Sequence, residues 1–312
     1  MPTVTVQIVN AFVDGDVGGN PAGLVLDAES YDRATRQAIA RAVGLSETAF
    51  VSPSSVAAVR LEFFTPTRQV AHCGHATIAA FGYLAQHGLI TGSHSSKETI
   101  DGVRDIILKG ELAFMAQSAP RYTPLDPGAG GVERTAVLAS LGLETADLLP
   151  GYGPMVVSTG ANGLMVPLRD AATVRGVEPD VAAVERLSAA LDLVEYYVFS
   201  PETRVPGRDA GARMFAPLYG IPEEAATGMA AGAATGMAAG AATGMAAGAL
   251  ACYLHDHLGV RKDTLLIEQG YLMPRPSPSV LIAELDRDGE RIGAVRVGGR
   301  AIVSGTREVA LA

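Results

Sequence analysis

Tryptophan is absent from the 312 residues, and phenylalanine and tyrosine bring the aromatic content to only 5%. A binding site built on extensive ring stacking is therefore not expected. Cysteine is nearly absent as well: Cys73 and Cys252 are the two copies. With no signal-like start ahead of the alternating stretch Thr3 to Val9, this usage points to a reducing cytoplasm. Positive charge is in deficit, with 24 Lys and Arg against 33 Asp and Glu, a net charge of -9 and a pI near 5.2. That balance disfavours nucleic acid or an anionic membrane surface as the main partner. It leaves room for a local basic patch that binds a small carboxylate. Long apolar runs are missing too. The one uncharged tract of membrane length is an Ala/Gly segment, too glycine-rich and weakly apolar to span a bilayer.

Several chemical signatures are also missing. Gly15-Asp16-Val17-Gly18-Gly19 is not followed by a helix in the phase that a dinucleotide site needs. No Gly-x-Ser-x-Gly elbow occurs. His72 and His75 are three apart and His255 and His257 two apart, but no Cys/His/Asp cluster has a strong metal spacing. No cofactor and no metal are expected. What remains is 48% hydrophobic and 18% charged, the balance of a well-cored protein long enough for two domains.

The chain repeats itself in order. The first half runs Asn20-Pro21-Ala22-Gly23-Leu24-Val25-Leu26, a helical stretch from Tyr31 to Val43, then Leu45-Ser46-Glu47-Thr48-Ala49-Phe50-Val51-Ser52-Pro53. A strand ending Phe63-Phe64-Thr65-Pro66 follows. Cys73-Gly74-His75-Ala76-Thr77 then opens an apolar helix to about Leu89. The second half runs Asn162-Gly163-Leu164-Met165-Val166-Pro167-Leu168, a helical stretch from Val181 to Leu191, then Leu193 to Pro201. Arg213-Met214-Phe215-Ala216-Pro217 follows, and Ala226-Thr227-Gly228 opens a small-residue helix ending near Leu258. Five features in one register imply a duplication into two α/β halves. Each glycine turn sits just ahead of a helix, whose free N–H groups and positive dipole end can hold an anion. Two such ends across a pseudo-twofold cleft would grip a carboxylate or a developing enolate. Taken singly, the glycines need do no more than let the chain turn.

These motifs resemble the PhzF-like proteins, which share the diaminopimelate epimerase fold. The resemblance is carried by Gly19-Asn20-Pro21-Ala22, Leu45 to Phe50, Phe64-Thr65-Pro66 and Cys73 to Thr77. Gly220 to Gly228, Glu268-Gln269-Gly270 and Arg275-Pro276-Ser277 add to it, so it covers nearly the whole chain. It implies an α/β (α+β) fold of two pseudo-symmetric domains, each a sheet wrapped around a central helix. Residues 1–118 with the C-terminal strand 300–312 form one half, and 119–299 the other. It also implies a homodimer and a cofactor-independent isomerase acting on a small unsaturated carboxylate, as in the isomerisation of a dihydro-hydroxyanthranilate in phenazine biosynthesis.

Glu47 is the first candidate for the general acid/base. It is expected half-buried at a cleft edge, and burial raises a carboxyl pKa toward the working pH. The resemblance implies the same role; without it, Glu47 reads as a polar strand-edge residue. His75, one residue after Gly74 at a helix start, is expected neutral, able to donate to substrate and pass a proton. The bland alternative is helix capping or a packed core histidine. Glu224 and Ala225 stand where the family carries Asp-Pro in an Asp-Pro-x-Thr-Gly sequence, which makes Glu224 the candidate second acid, or else a charge favourable near a helix N-terminus. Met229 replaces a small polar residue. Asn20, Ser46, Gly74, Thr227 and Gly228 are expected to bind substrate. Cys73 raises a second reading, because related racemases with this fold use two cysteines. Its partner at the second glycine turn is absent, and Cys252 reads as core.

Residues 225–248 are three copies of Ala-Ala-Thr-Gly-Met-Ala-Ala-Gly. One copy matches the family, so sixteen residues are extra. As one helix they would add ~24 Å and turn the following face by ~160°. The insert can loop out, extend the helix and displace Glu224, or mediate assembly through small residues at four-residue spacing. Replication slippage accounts for its origin. Reduced activity or altered oligomerisation is its expected consequence, and a catalytically impaired scaffold is the competing class.

Overall fold

The computed structural model describes residues 3–125, 132–219, 221–224 and 242–311; the side chains of residue 224 and of residues 242–245 fall outside that description. The chain forms two compact units. It passes from the first to the second at Ala116/Gln117 and returns to the first at Val297/Gly298.

In the first unit β1 (Thr3–Ala11), β2 (Asn20–Val25), α1 (Arg33–Val43), β3 (Thr48–Ser52), β4 (Val59–Phe64), β5 (Gln69–Val70), α2 (Gly74–Gln86), β6 (His94–Thr99) and β7 (Gly102–Lys109) follow one another, and β8 (Leu112–Ser118) leads out. β1 pairs antiparallel with β2, β2 parallel with β3, β3 antiparallel with β4, β4 parallel with β6 and β6 antiparallel with β7. Parallel neighbours need a crossover between them. The stretch through α1 supplies the first, and the stretch through β5 and α2 the second.

The second unit contains β9 (Arg121–Pro124), α3 (Arg134–Ser140), β10 (Met155–Ser158), β11 (Asn162–Pro167), α4 (Ala171–Arg175), α5 (Val181–Ala190), β12 (Glu195–Ser200), β13 (Ala210–Ala216), β14 (Ile221–Glu224), α6 (Ala242–Asp256), β15 (Thr264–Gln269) and β16 (Ser279–Asp288). β17 (Arg291–Ala310) carries the chain back, and its last residues pair antiparallel with β1. β10 to β13 pair antiparallel, parallel and antiparallel in turn; β13 pairs parallel with β15, and β15 antiparallel with β16. The internal order matches that of the first unit join for join. This is the pseudo-symmetric α/β arrangement that the repeated motifs imply.

The helices divide by their sequence patterns. Every residue of α2 from Gly74 to Leu84 is buried. A helix without a polar face has to be surrounded, which makes α2 the central helix of its unit. α6 is the same in the second unit, buried at Ala246, Ala247 and from Ala249 to His255. Gly82 of α2 lets β17 approach: a Cβ there would lie 2.7 Å from the Cβ of Ala301. α1 is instead amphipathic. Ile39, Ala40 and Val43 join Val25, Phe50 and Phe64 in the core, while Arg36 reaches the carboxylate of Glu62 on β4.

Local chemistry sets the helix ends. α1 begins at Arg33, not Tyr31, because the Asp32 carboxylate caps it by accepting from the Thr35 N–H at 2.8 Å. It stops at Gly44, left-handed with φ 68°. α2 ends at Gln86 rather than near Leu89, just ahead of left-handed Gly88, and α6 at Asp256 rather than near Leu258, ahead of left-handed Gly259. The described part of α6 opens in the third copy of the tandem repeat. The opening expected at 226–228 lies outside the described residues. Among the described residues no helix is long and apolar enough to cross a membrane.

Candidate active site

The site is assembled from two short segments of the first unit. One is the link between α1 and β3. Gly44 turns the chain, Ser46 and Glu47 follow, and the Gly23 N–H of β2 donates to the Glu47 carbonyl at 3.0 Å. That bond fixes the Glu47 backbone on the parallel ladder before β3 begins. The other segment is the start of α2. Cys73 is the N-cap residue in extended conformation (φ -146°), Gly74 the first helical residue and His75 the second. The N–H groups of a first helical turn have no intrahelical acceptor and carry the positive end of the dipole.

Between these segments lies a chain of three proton-bearing groups. Glu47 Oε2 is 3.3 Å from His75 Nε2, and both side chains are 3% exposed. Ser46 Oγ approaches the same ring nitrogen at 3.4 Å. On the far side of the ring Cys73 Sγ is 3.6 Å from Nδ1, with the cysteine wholly buried. An imidazole so placed can receive a proton at one nitrogen as it releases one at the other. Glu47, Cys73 and His75 present donor atoms within 4.8 Å of one another, a set that borderline-soft cations accept. Here, however, the thiol faces Nδ1 and the carboxylate faces Nε2. Each contact is of hydrogen-bond length, as a proton relay through the ring requires.

Of the residues selected from sequence, Glu47, Ser46, Gly74 and His75 therefore meet at one place. Glu47 is far more buried than the half-buried edge position expected of it. The reason is that it precedes β3, whose residues are buried on both faces. Asn20 is buried at the head of β2. Glu224 ends β14, its backbone opposite Met214, and its side chain lies outside the description. The described part of α6 begins at Ala242, and residues 225–241, which link it to Glu224, lie outside the described residues. Thr227 and Gly228 lie outside the described residues. Cys252 is buried within α6, and burial pushes its thiol up to about 12.

Two features escaped the sequence reading. Lys97 is fully buried beneath the first turn of α2. Its strand reads His-Ser-Ser-Lys-Glu-Thr, with no apolar alternation to reveal an inward face. Glu195 at the start of β12 is 2% exposed. Thr48 opposes Phe64 and Tyr196 opposes Phe215 in equivalent ladders, so Glu195 is the positional counterpart of Glu47. The signal lay in the aligned repeats, where both glutamates occupy the third position.

Comparison with known proteins agrees with this architecture. The family profile described as "PhzC-PhzF: Phenazine biosynthesis-like protein" matches residues 9–239. The chain is 34% identical over 226 residues to an uncharacterized isomerase, YddE, of Escherichia coli K12, covering 72% of this chain and 75% of that one. It is 27% identical to the trans-2,3-dihydro-3-hydroxyanthranilate isomerase of Pseudomonas chlororaphis, covering 97% and 98%. The crystal structure of a Bacillus anthracis phenazine biosynthesis protein of the PhzF family superposes with a TM-score of 0.84 at 26% identity over the full length of both chains.

Proposed function

Because the chain belongs to the PhzC-PhzF, phenazine biosynthesis-like family, we propose that it is a cofactor-independent isomerase that shifts a proton on a small unsaturated carboxylate. The substrate is a dihydro-hydroxyanthranilate or a close chemical analogue. The observation that carries this reading is the buried Glu47–His75 contact of 3.3 Å at the start of the central helix α2. Two proton carriers in contact, shielded from bulk water, form the machinery that proton transfer at carbon requires.

The Glu47 carboxylate takes a proton from a carbon next to the unsaturated system. The C–H electron pair then spreads into that system, toward the substrate carboxylate. Glu47, or His75 through its Nε2, returns the proton at the other end of the conjugated chain. Atoms and electrons balance within one molecule, so no co-reactant is consumed. The first-turn N–H groups around Gly74, with the helix dipole, favour the substrate carboxylate and the charge that develops on it. Ser46, beside the same ring nitrogen, helps to keep the imidazole in plane.

A racemase with two thiol bases is the second reading, prompted by Cys73 against His75 Nδ1. It asks for a second thiol at the opening of the other central helix, and Cys252 instead lies inside α6. Chromatography of trans-2,3-dihydro-3-hydroxyanthranilate incubated with the purified protein tests the proposal. A new isomer formed by the wild type and not by Glu47→Gln supports it. Equal conversion by both proteins overturns the role of Glu47. Racemisation of proline or hydroxyproline, without any conversion of the dihydroarene, would favour the thiol reading.

A further inference from the structure

Lys97 is a cation inside the first unit that the proposed reaction leaves unused. Its side chain, carried by β6, is 0% exposed. Nζ donates to Thr77 Oγ1 at 2.6 Å and to His72 Nδ1 at 3.2 Å, and lies 5.2 Å from the centre of the Phe63 ring of β4. Thr77 Oγ1 gives its own hydrogen to the Cys73 carbonyl at 2.5 Å, so it can only accept from Lys97. Neutral imidazole alone offers Nδ1 as an acceptor. Burial, then Lys97, then Arg104 push His72 down to about 3, so it remains that acceptor. The lysine thereby holds both ends of a turn. His72 precedes the cap of α2 and Thr77 closes its first turn; Cys73, Gly74 and His75 lie between.

We propose that Lys97 is a positioning residue of this site: its ammonium clasps the His72–Thr77 turn from behind, seats His75 against Glu47 and favours the thiolate of Cys73. Three titratable or charged groups face it: His72 ahead of α2, Cys73 at the cap and Arg104, opposite Lys97 on β7. Burial pushes Lys97 down to about 7, Cys73 opposes that shift and Arg104 adds to it. The coupling is reciprocal, because an ammonium that a thiolate stabilises stabilises the thiolate in return. With Lys97 charged, the proton between Cys73 and Nδ1 of His75 moves toward the ring, giving a thiolate beside an imidazolium whose Nε2 keeps the hydrogen that faces Glu47.

The role rests on Glu47 and His75 being the reacting pair. The test needs no substrate, so the two ideas fail separately. Thiolate absorbance at 240 nm is followed from pH 5 to 9 in the wild type, Lys97→Met and Lys97→Arg. The second thiol, Cys252, stays protonated over this range. The expected result is a thiolate fraction at least about tenfold lower in Lys97→Met at a fixed pH below its midpoint, one pKa unit being a factor of ten, with Lys97→Arg closer to the wild type. A folded Lys97→Met that titrates like the wild type overturns the proposal. If Lys97→Met does not fold, the wild type still decides. The protein has three lysines, and carbon-13 labelling at Cε separates their titrations. The Lys97 midpoint is expected to fall in Cys73→Ala, and an unmoved midpoint overturns the coupling.

Discussion

At the residue scale, Glu47 and His75 share a small volume from which water is largely excluded, each 3% exposed. General acid/base groups in such positions typically contribute ~10²–10⁴ to rate. Glu47→Gln is expected to lower kcat by a factor in that range with unchanged far-UV circular dichroism; a loss under about threefold would remove Glu47 from the chemistry. His72 gives a prediction independent of substrate. Its pKa is about 3 in the folded protein against 6.5 without the fold. Below pH 6.5 the unfolded chain therefore takes up a proton that the folded chain refuses, and stability is lost as pH falls from 6.5 toward 3. Urea unfolding at pH 7 and pH 5 should show a larger drop for the wild type than for His72→Gln, and equal drops would contradict the assignment. The legibility of these residues differed for physical reasons. Glu47 and His75 stood in motifs next to glycine turns. Lys97 sits in a strand polar at every position, and its burial comes from the helix that covers it, which no local pattern records.

At the scale of elements, the central helices were legible because small and apolar residues occupy every position of α2 from Ala76 to Leu84, apart from Thr77 and the hydroxyl of Tyr83. Ends were less so, since they follow from single caps such as Asp32 and from glycines that adopt positive φ. Close approach of α2 and β17 depends on Gly82 having no side chain. Gly82→Val should place carbon against Ala301, whose Cβ lies 2.7 Å from the new Cβ position. Overpacking of this kind costs about 1–3 kcal/mol. A urea midpoint within error of the wild type would show that α2 and β17 can move apart freely. The expectation of a half-buried Glu47 failed at this scale, because strand β3 is buried on both faces and draws its preceding residue inward.

At the scale of the molecule, duplication accounts for two units with the same internal order of strand joins and for two buried glutamates at equivalent positions, Glu47 and Glu195. The tandem repeat stands apart from that logic. Identical copies give no sequence signal for which one opens the helix, and the described part of α6 begins in the third. Removing residues 233–248 leaves one copy joined to Ala249. The shortened chain is expected to keep its fold and to gain activity or change oligomer size, read by initial rates and light scattering; identity with the full chain in both would make the repeat a passenger. The central claim, proton transfer at carbon by Glu47, is tested most directly by proton NMR in deuterated water with a dihydro-hydroxyanthranilate. The account predicts isomerised product with the wild type, its moved hydrogen either carried over from the substrate or exchanged for deuterium while on Glu47, and no product with Glu47→Gln. Isomerised product that persists in the variant would contradict it.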